Sequence, residues 1–384
     1  MSNQQTDTPT SSNNKSQQRK KGLSIFILLL LLIAIGSAAY WYLFIKGFEE
    51  TEDAYVSGNQ VMVSAQVAGN ISKINVDNMD PIQAGDVLLE LDDTNAKLSF
   101  EQAKSNLANA VRQVSQLNYT VKQLKSAVRA NEITLAQAQG NLNRRVQLVK
   151  DGAIDKESFQ HAKEAVELAK VNLTTSQNQL GANQALLLDG PLSEQPQIQS
   201  AVSNLKQAWL NLERTKIRSP IKGYVARRNA QVGQAVSVGG ALMAVVTTDQ
   251  MWLDANFKET QLTHMRIGQP VEIHFDLYGK DKTFNGKVVG IEMGTGSAFS
   301  LLPTQNATGN WIKVVQRVPV RIQLDPQQLA ENPLRIGLSA TVKVNVTDSQ
   351  GETLRDQAPA TTLYSTNVLQ YDESAVNNLI ESII

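Results

Sequence analysis

One short pattern is written twice in this chain of 384 residues. The first copy runs from Val67-Ala-Gly69-Asn-Ile71 to Ile82-Gln-Ala-Gly85-Asp-Val-Leu88, and the second from Ile221-Lys-Gly223-Tyr-Val225 to Val236-Ser-Val-Gly239-Gly-Ala-Leu242. The offset between positions 67 and 221 is 154, and it is kept throughout, so Ile71 falls on Val225, Ile82 on Val236 and Leu88 on Leu242. Each copy opens near a glycine, Gly69 or Gly223, and carries a second sixteen residues on, Gly85 or Gly239. This predicts short strands turning at residues that tolerate positive φ. A sheet fragment of this size is marginal in water by itself. The two halves must therefore pair with each other across whatever separates them.

A sandwich of two quasi-symmetric halves resembles the lipoyl or biotinyl domain, assigned here to 61–93 plus 215–248. A helical insert between such halves resembles the periplasmic adaptor proteins, also called membrane fusion proteins. Carrier domains present a lysine at the hairpin between their halves. Here the junction reads Leu91-Asp92-Asp93-Thr94 and leads straight into helix, so no cofactor is expected.

The insert, 94–214, is patterned in sevens. Phe100, Leu107, Val114, Val121, Val128, Leu135, Leu142 and Val149 form one apolar column. Ala103, Ala110, Leu117, Leu124, Asn131, Ala138 and Arg145 stand beside it, with Asn131 and Arg145 the exceptions. A second run follows at Phe159, Val166, Leu173, Leu180 and Leu187, breaks at 189–196, and resumes at Ile198, Leu205 and Leu212. A sustained seven-residue repeat predicts two helices supercoiled left-handedly, and small seam residues favour a slender antiparallel hairpin. Its turn is legible in Lys150-Asp-Gly152, a glycine where a left-handed cap belongs, and in Asp155, an N-cap followed by Glu157. A first arm from 94 to 149 would project about 80 Å.

Leu23 to Ile45 is a run without a charge, enough at about 1.5 Å per residue to cross a hydrocarbon core of about 30 Å. Arg19, Lys20 and Lys21 precede it, and Tyr40, Trp41 and Tyr42 stand near its far end. This predicts a single-pass bacterial inner-membrane helix, N-terminus cytoplasmic and the bulk of the chain periplasmic. A cleaved signal peptide would use Gly36-Ser37-Ala38-Ala39, but the apolar run continues to Ile45. Residues 1–22 read as a disordered cytoplasmic tail, and 46–60 as a membrane-proximal linker or strand. With no cysteine, a lipid-modified cysteine cannot be the tether. Thirty-six basic residues balance 36 acidic ones with no basic stripe, which argues against nucleic acid as a partner.

The region 249–348 reads as a small β-barrel, with strands at 251–257, 270–275, 287–291, 312–315, 318–324 and 340–346, and a short amphipathic helix at 259–265. Residues 349–384 read as a C-terminal membrane-proximal segment, whose last part, 372–384, is left open between the barrel and a transporter. Gly294-Thr-Gly296-Ser lacks the Lys-Ser/Thr of a phosphate loop. His161, His264 and His274 show no ligand spacing, so neither a metal nor an enzyme is expected. The fold class is thus α+β: a single N-terminal transmembrane helix, a long antiparallel coiled-coil hairpin between two halves of a lipoyl-like domain, then a β-barrel.

Asn256-Phe-Lys-Glu-Thr-Gln261, Met265-Arg-Ile-Gly-Gln-Pro270, the block from Met293-Gly-Thr-Gly-Ser through Trp311 to Arg317, Thr51-Glu-Asp-Ala-Tyr-Val56 and Leu334-Arg-Ile-Gly-Leu338 resemble the EmrA-type periplasmic adaptors of the HlyD family. The resemblance covers the chain from residue 23 onward. It implies an adaptor in multidrug efflux that joins an EmrB-like major-facilitator transporter to a TolC-like outer-membrane channel and forms homo-oligomers. An adaptor of an ABC-driven type I secretion system shares anchor, hairpin and half-motifs and is the alternative. In adaptors that dock on TolC-type channels the tip carries an Arg, a Leu four residues on and a Ser seven after that. Arg144 and Leu148 match, and Asp155 stands where the Ser would be.

Overall fold

The computed structural model describes residues 14–40, 47–299, 313–355 and 362–384. In chain order the elements are α1 (Asn14–Tyr40), β1 (Phe48–Ser64), β2 (Gly69–Ile74), β3 (Pro81–Ile82), β4 (Val87–Leu91), α2 (Thr94–Lys150), α3 (Lys156–Gln184), α4 (Pro196–Glu213), β5 (Lys216–Arg218), β6 (Gly223–Arg228), β7 (Ala235–Val236), β8 (Ala241–Lys258), β9 (Pro270–Phe275), β10 (Phe284–Ile291), β11 (Arg317–Leu324), α5 (Pro326–Glu331), β12 (Ser339–Asn345) and α6 (Ser374–Ile383). They form two compact units, one of 1–61 with 246–365 and the other of 62–245 with 366–384.

In the unit holding α1, six strands follow the order β1-β12-β9-β10-β11-β8, and β1 pairs with β8 to close the ring. Closure leaves no sheet edge exposed to a second chain. The strands alternate: Leu253, Ala255 and Phe257 of β8 face Val271, Ile273 and Phe275 of β9 inside one core. Phe275 and Phe284 meet edge to face with centroids 4.8 Å apart. The sequence reading needs one correction here: residues 313–315 form no strand. Of the linker or strand expected at 46–60, the strand is what forms from Phe48, closing the barrel with Phe48 opposite Asn345 and Ala54 opposite Ala340. The short helix expected at 259–265 is present as a 3₁₀ helix, Glu259–His264.

Helix α1 begins at Asn14, so residues 14–22 are helical where disorder was expected. Leu23 and Ile25–Leu32 along it are each at least half exposed. Among the described residues no helix is long and apolar enough to cross a membrane. Residues 41–45, with Trp41 and Tyr42, lie outside the described residues, as do 1–13.

The other unit is built on the two copies, and its hydrogen bonds obey their offset. Gly69 pairs with Val236, and the equivalent Gly223 pairs with Ile82. Gly85 N–H donates to Ser219 O at 2.8 Å, while Gly239 N–H donates to Ala65 O at 2.8 Å. Met79 N–H donates to Val225 O and Gly233 N–H to Ile71 O, both at 2.8 Å. Every one of these bonds crosses from one copy to the other. The core matches as well: Ile71 with Val225, Leu88 with Leu242, Leu89 with Met243 and Leu91 with Val245 are all buried together. Gly85 and Gly239 have φ of 94° and 82°. Gly69 and Gly223 do not; they open β2 and β6 as ladder residues, so the turn role expected of them is corrected.

Strands β4 and β5 are neighbours, Leu89 opposite Ile217, and the two arms of the insert leave from them. Asp92 accepts from Thr94 N–H at 3.0 Å and from its hydroxyl at 2.6 Å, turning β4 directly into α2. Thr94 holds that carboxylate below its ordinary pKa. At the other root the Thr215 hydroxyl caps α4 through Leu212 O at 2.7 Å, and Leu91 N–H donates to Thr215 O at 2.9 Å.

Helix α6 packs on α2 and α4, with Val376 and Ile380 buried against Ala103, Leu107, Ile198 and Leu205. Lys206 pairs with Glu373 at 2.8 Å, and Tyr371 meets Trp209 edge to face. The end of the chain, left open by its sequence, thus lies on the hairpin base.

Candidate interaction site at the hairpin tip

Helix α2 is 57 residues long, about 85 Å at 1.5 Å per residue. Ala103, Leu107, Val114, Val121 and Val128 are its buried residues, as Ala162, Val166, Ala169 and Ser176 are those of α3 and Ile198 and Leu205 those of α4. The columns expected from the sevens are therefore seated inward. Beyond Val128 the seam thins, and Leu135, Leu142 and Val149 are only half-buried. On the facing arm Ala162, Val166 and Ala169 stay buried, so the two helices cover the α3 side of the seam more fully than the α2 side.

Polar groups do the joining there. Asn131 Nδ2 donates to Ser176 Oγ at 2.6 Å, and Arg145 Nη1 donates to the Ser158 carbonyl at 2.8 Å. Both exceptions to the apolar seam thus bridge the arms. Sequence reasoning noted these two positions without finding their partners. Their signal was a polar residue held in a core column, and what it lacked was the opposite arm's register.

The second arm is in two pieces. Helix α3 stops at Gln184, before the break expected at 189–196, and α4 starts with Pro196 at its first turn, where a missing N–H costs nothing. Gln195, 3% exposed, spans the gap: its amide accepts from Leu188 N–H at 3.0 Å and donates to Leu188 O at 2.9 Å. Nothing periodic in the sequence marks that clamp.

At the turn Gly152 has φ of 72°, and Ala153 N–H donates to Leu148 O at 2.9 Å, closing α2 through a left-handed residue. Asp155 caps α3, accepting from Ser158 N–H at 3.4 Å, with Glu157 in the first turn. Hydrogen bonding from the Ser158 side chain, and then from its N–H, holds the Asp155 carboxyl below its usual range. Arg144 is exposed and bonds Asn141 Oδ1, while Leu148, one turn on, is 42% exposed. Arg144 and Leu148 share a helix face, and Asp155 lies just across the turn, occupied by its cap. The tip thus presents an exposed basic and an exposed apolar side chain that can meet a partner. Among the described residues no His, Asp and Glu are grouped as metal ligands.

An antiparallel hairpin rooted on paired strands of a two-copy β domain, in a chain that also builds a closed β-barrel, defines the class of hairpin-bearing membrane fusion proteins. The family model for the EMRA alpha-helical hairpin domain matches residues 94–215, and that for the AAEA-like beta-barrel domain matches 250–345. The Multidrug export protein EmrA of Haemophilus influenzae is 77% identical over 350 residues, covering 91% of this chain and 90% of that protein. The Multidrug export protein EmrA of Escherichia coli K12 is 50% identical over 383 residues, covering 100% and 98%. A solved structure of the periplasmic adaptor protein EmrA aligns over 78% of this chain and 98% of its own at 19% identity, with a TM-score of 0.41. The chain belongs to the EmrA family.

Proposed function

We propose that this protein is the periplasmic adaptor of a multidrug efflux assembly, linking an EmrB-like major-facilitator transporter in the inner membrane to a TolC-like outer-membrane channel. The uncharged run Leu23–Ile45 is its single-pass anchor, with the N-terminus cytoplasmic. The hairpin tip around Arg144, Leu148 and Asp155 is the channel-docking end, and copies of the chain assemble side by side. The adaptor moves nothing itself; the transporter supplies the energy.

One observation carries this reading. A helix of 57 residues runs unbroken from β4 to the tip, and the chain returns to β5, the strand paired with β4. An arm of about 85 Å serves a domain that is complete at its root only if the arm must reach something distant. The high identity to proteins named for multidrug export supports the same role.

The test shortens both arms at one level. Asn131 faces Ser176, and Arg145 faces Ser158, so Glu132–Ala138 of α2 lies opposite Glu167–Leu173 of α3. Deleting both heptads keeps the seam in phase and removes about 10 Å of reach. The trimmed protein is expected to fold and copurify with its transporter yet fail to restore drug tolerance to a strain lacking the adaptor. Full tolerance from a stably trimmed hairpin would overturn the bridging role.

A further inference from the structure

Strand register shows what gathers at one end of the barrel. Phe48, where β1 begins, is opposite Asn345, where β12 ends; Val344 is opposite Val271 at the start of β9. Pro270 is opposite Lys287 in β10, Ile291 is opposite Val320 in β11, and Arg317 is opposite Lys258 at the end of β8. The segments following β10 and β12 and preceding β11 therefore all leave the barrel at the end where the chain arrives from α1. These segments carry large apolar side chains in the open. Met293 is 79% exposed, Phe299 71%, Val314 65%, Leu354 48% and Val315 47%. Met293 and Leu354 line one open depression with Ile267 and Ile291, and Ile267 N–H donates to Glu352 O at 2.9 Å, holding the segment of Leu354 there.

Exposed apolar clusters of this kind mark a contact surface. The covalent chain says which one. The uncharged run ends at Ile45 and β1 starts at Phe48, three residues that span at most about 11 Å when fully extended. Resting on the reading of α1 as an anchor, the start of β1 is held within about 11 Å of the hydrocarbon, at the interfacial layer roughly 5–8 Å deep on each side of it. Side chains of Phe, Met, Val and Leu gain by burial at that depth. We infer that this end of the barrel is a second, monotopic membrane contact, with Met293, Phe299, Val314, Val315 and Leu354 seated in the lipid surface beside the anchor.

The chain has no cysteine, so single nitroxide labels can be placed in the full-length protein, reconstituted alone in phosphatidylethanolamine–phosphatidylglycerol vesicles. Labels at Met293, Phe299 and Leu354 are expected to collide several-fold more with membrane-soluble oxygen than with aqueous nickel chelate. A label at Leu277, 48% exposed and just past the opposite end of β9, is expected to show the reverse. A label at Leu28 reads the anchor separately. Lipid exposure at Leu28 with aqueous values at Met293, Phe299 and Leu354 would overturn the proposal while leaving the anchor standing. Shielding from both reagents, or shielding that appears only after a transporter is added, would overturn it in favour of a protein contact. An aqueous Leu28 would overturn the anchor and the inference together.

Discussion

Asn131 and Ser176, one on each arm, meet at 2.6 Å across a seam that is built mostly from Ala, Val and Leu. Ser176 in turn donates to Asn172 O at 3.1 Å within its own helix. Sliding α3 along α2 would part the two groups, and with Asn131 half-buried and Ser176 buried the pair favours one register by at most the cost of a buried polar group left unpaired, about 1–3 kcal/mol. A single polar residue in a coiled-coil core sets alignment in this way at some expense of stability.

Replacing Asn131 with Leu is therefore expected to raise the hairpin's melting temperature while loosening its register. Cysteine pairs placed opposite each other near the tip should crosslink in one register in the parent and in several in Asn131→Leu. A variant that melts higher and still crosslinks in one register would show that the pair has no aligning role.

The offset of the β domain makes a quantitative demand. Gly85 and Gly239 both lie at positive φ with open space where a Cβ would stand, so alanine meets only backbone strain, about 1–2 kcal/mol. Gly85→Ala and Gly239→Ala should lower the same unfolding transition by similar amounts. Gly69→Ala, whose Cβ would stand at an ordinary 3.6 Å from Leu91, should change it far less. Unequal effects at Gly85 and Gly239, followed by limited proteolysis, would argue that the copies do not unfold as one unit. Met79 is informative here, being a non-glycine at φ 74° where its equivalent is Gly233 at 83°.

The tip should loosen in acid. Hydrogen bonding from Ser158 holds the folded pKa of Asp155 below the unfolded value. Its contribution is then fully present above the ordinary carboxylate pKa near 4, and is lost as pH falls through the lowered folded value. Amide exchange at the start of α3, corrected for intrinsic rates, is expected to quicken as pH falls through that window. In Asp155→Asn, which keeps a cap without a titrating charge, the profile should be flat.

Truncating Ile380 tests the third helix at the hairpin base. The side chain is 7% exposed among Leu107, Ile198 and Leu205, so Ile380→Ala should cost about 2–5 kcal/mol and speed exchange in the first turns of α2 and in α4. The Lys206–Glu373 pair is about half exposed, and its loss should cost under about 1 kcal/mol. Unchanged exchange at the base in Ile380→Ala would mean α6 is dispensable to it.

Charge reversal at Arg144 probes docking. The side chain is exposed and its partner in the structure is a neighbouring asparagine, so Arg144→Glu is expected to leave the protein's level unchanged while lowering drug tolerance. A cysteine at Lys150 should crosslink to the outer-membrane channel in the parent and less so in that variant. Unaltered tolerance and crosslinking would remove Arg144 from the docking surface.

Periodic features are local, and they were legible in the sequence alone. Val67 with Ile221 and Leu88 with Leu242 announce two equivalent halves, and the sevens from Phe100 to Val149 announce a hairpin. Each such signal depends only on which side chains recur at which spacing, and burial then follows from face and pitch. What the tertiary structure decided were partners distant in the chain. Alternation in Phe48–Ser64 says strand but cannot say that Phe48 finds Asn345 and closes a barrel. The apolar face of α6 demands cover without naming Leu107 and Leu205 as its source. Arg145 stands out in its column and Gln195 in none, and neither names the backbone groups of Ser158 and Leu188 that are brought to them. Gly69 and Gly85 are the same residue in the same repeat, yet only Gly85 needs its positive φ. That distinction is set by where a cross-copy hydrogen bond pulls the backbone, which composition and spacing do not encode.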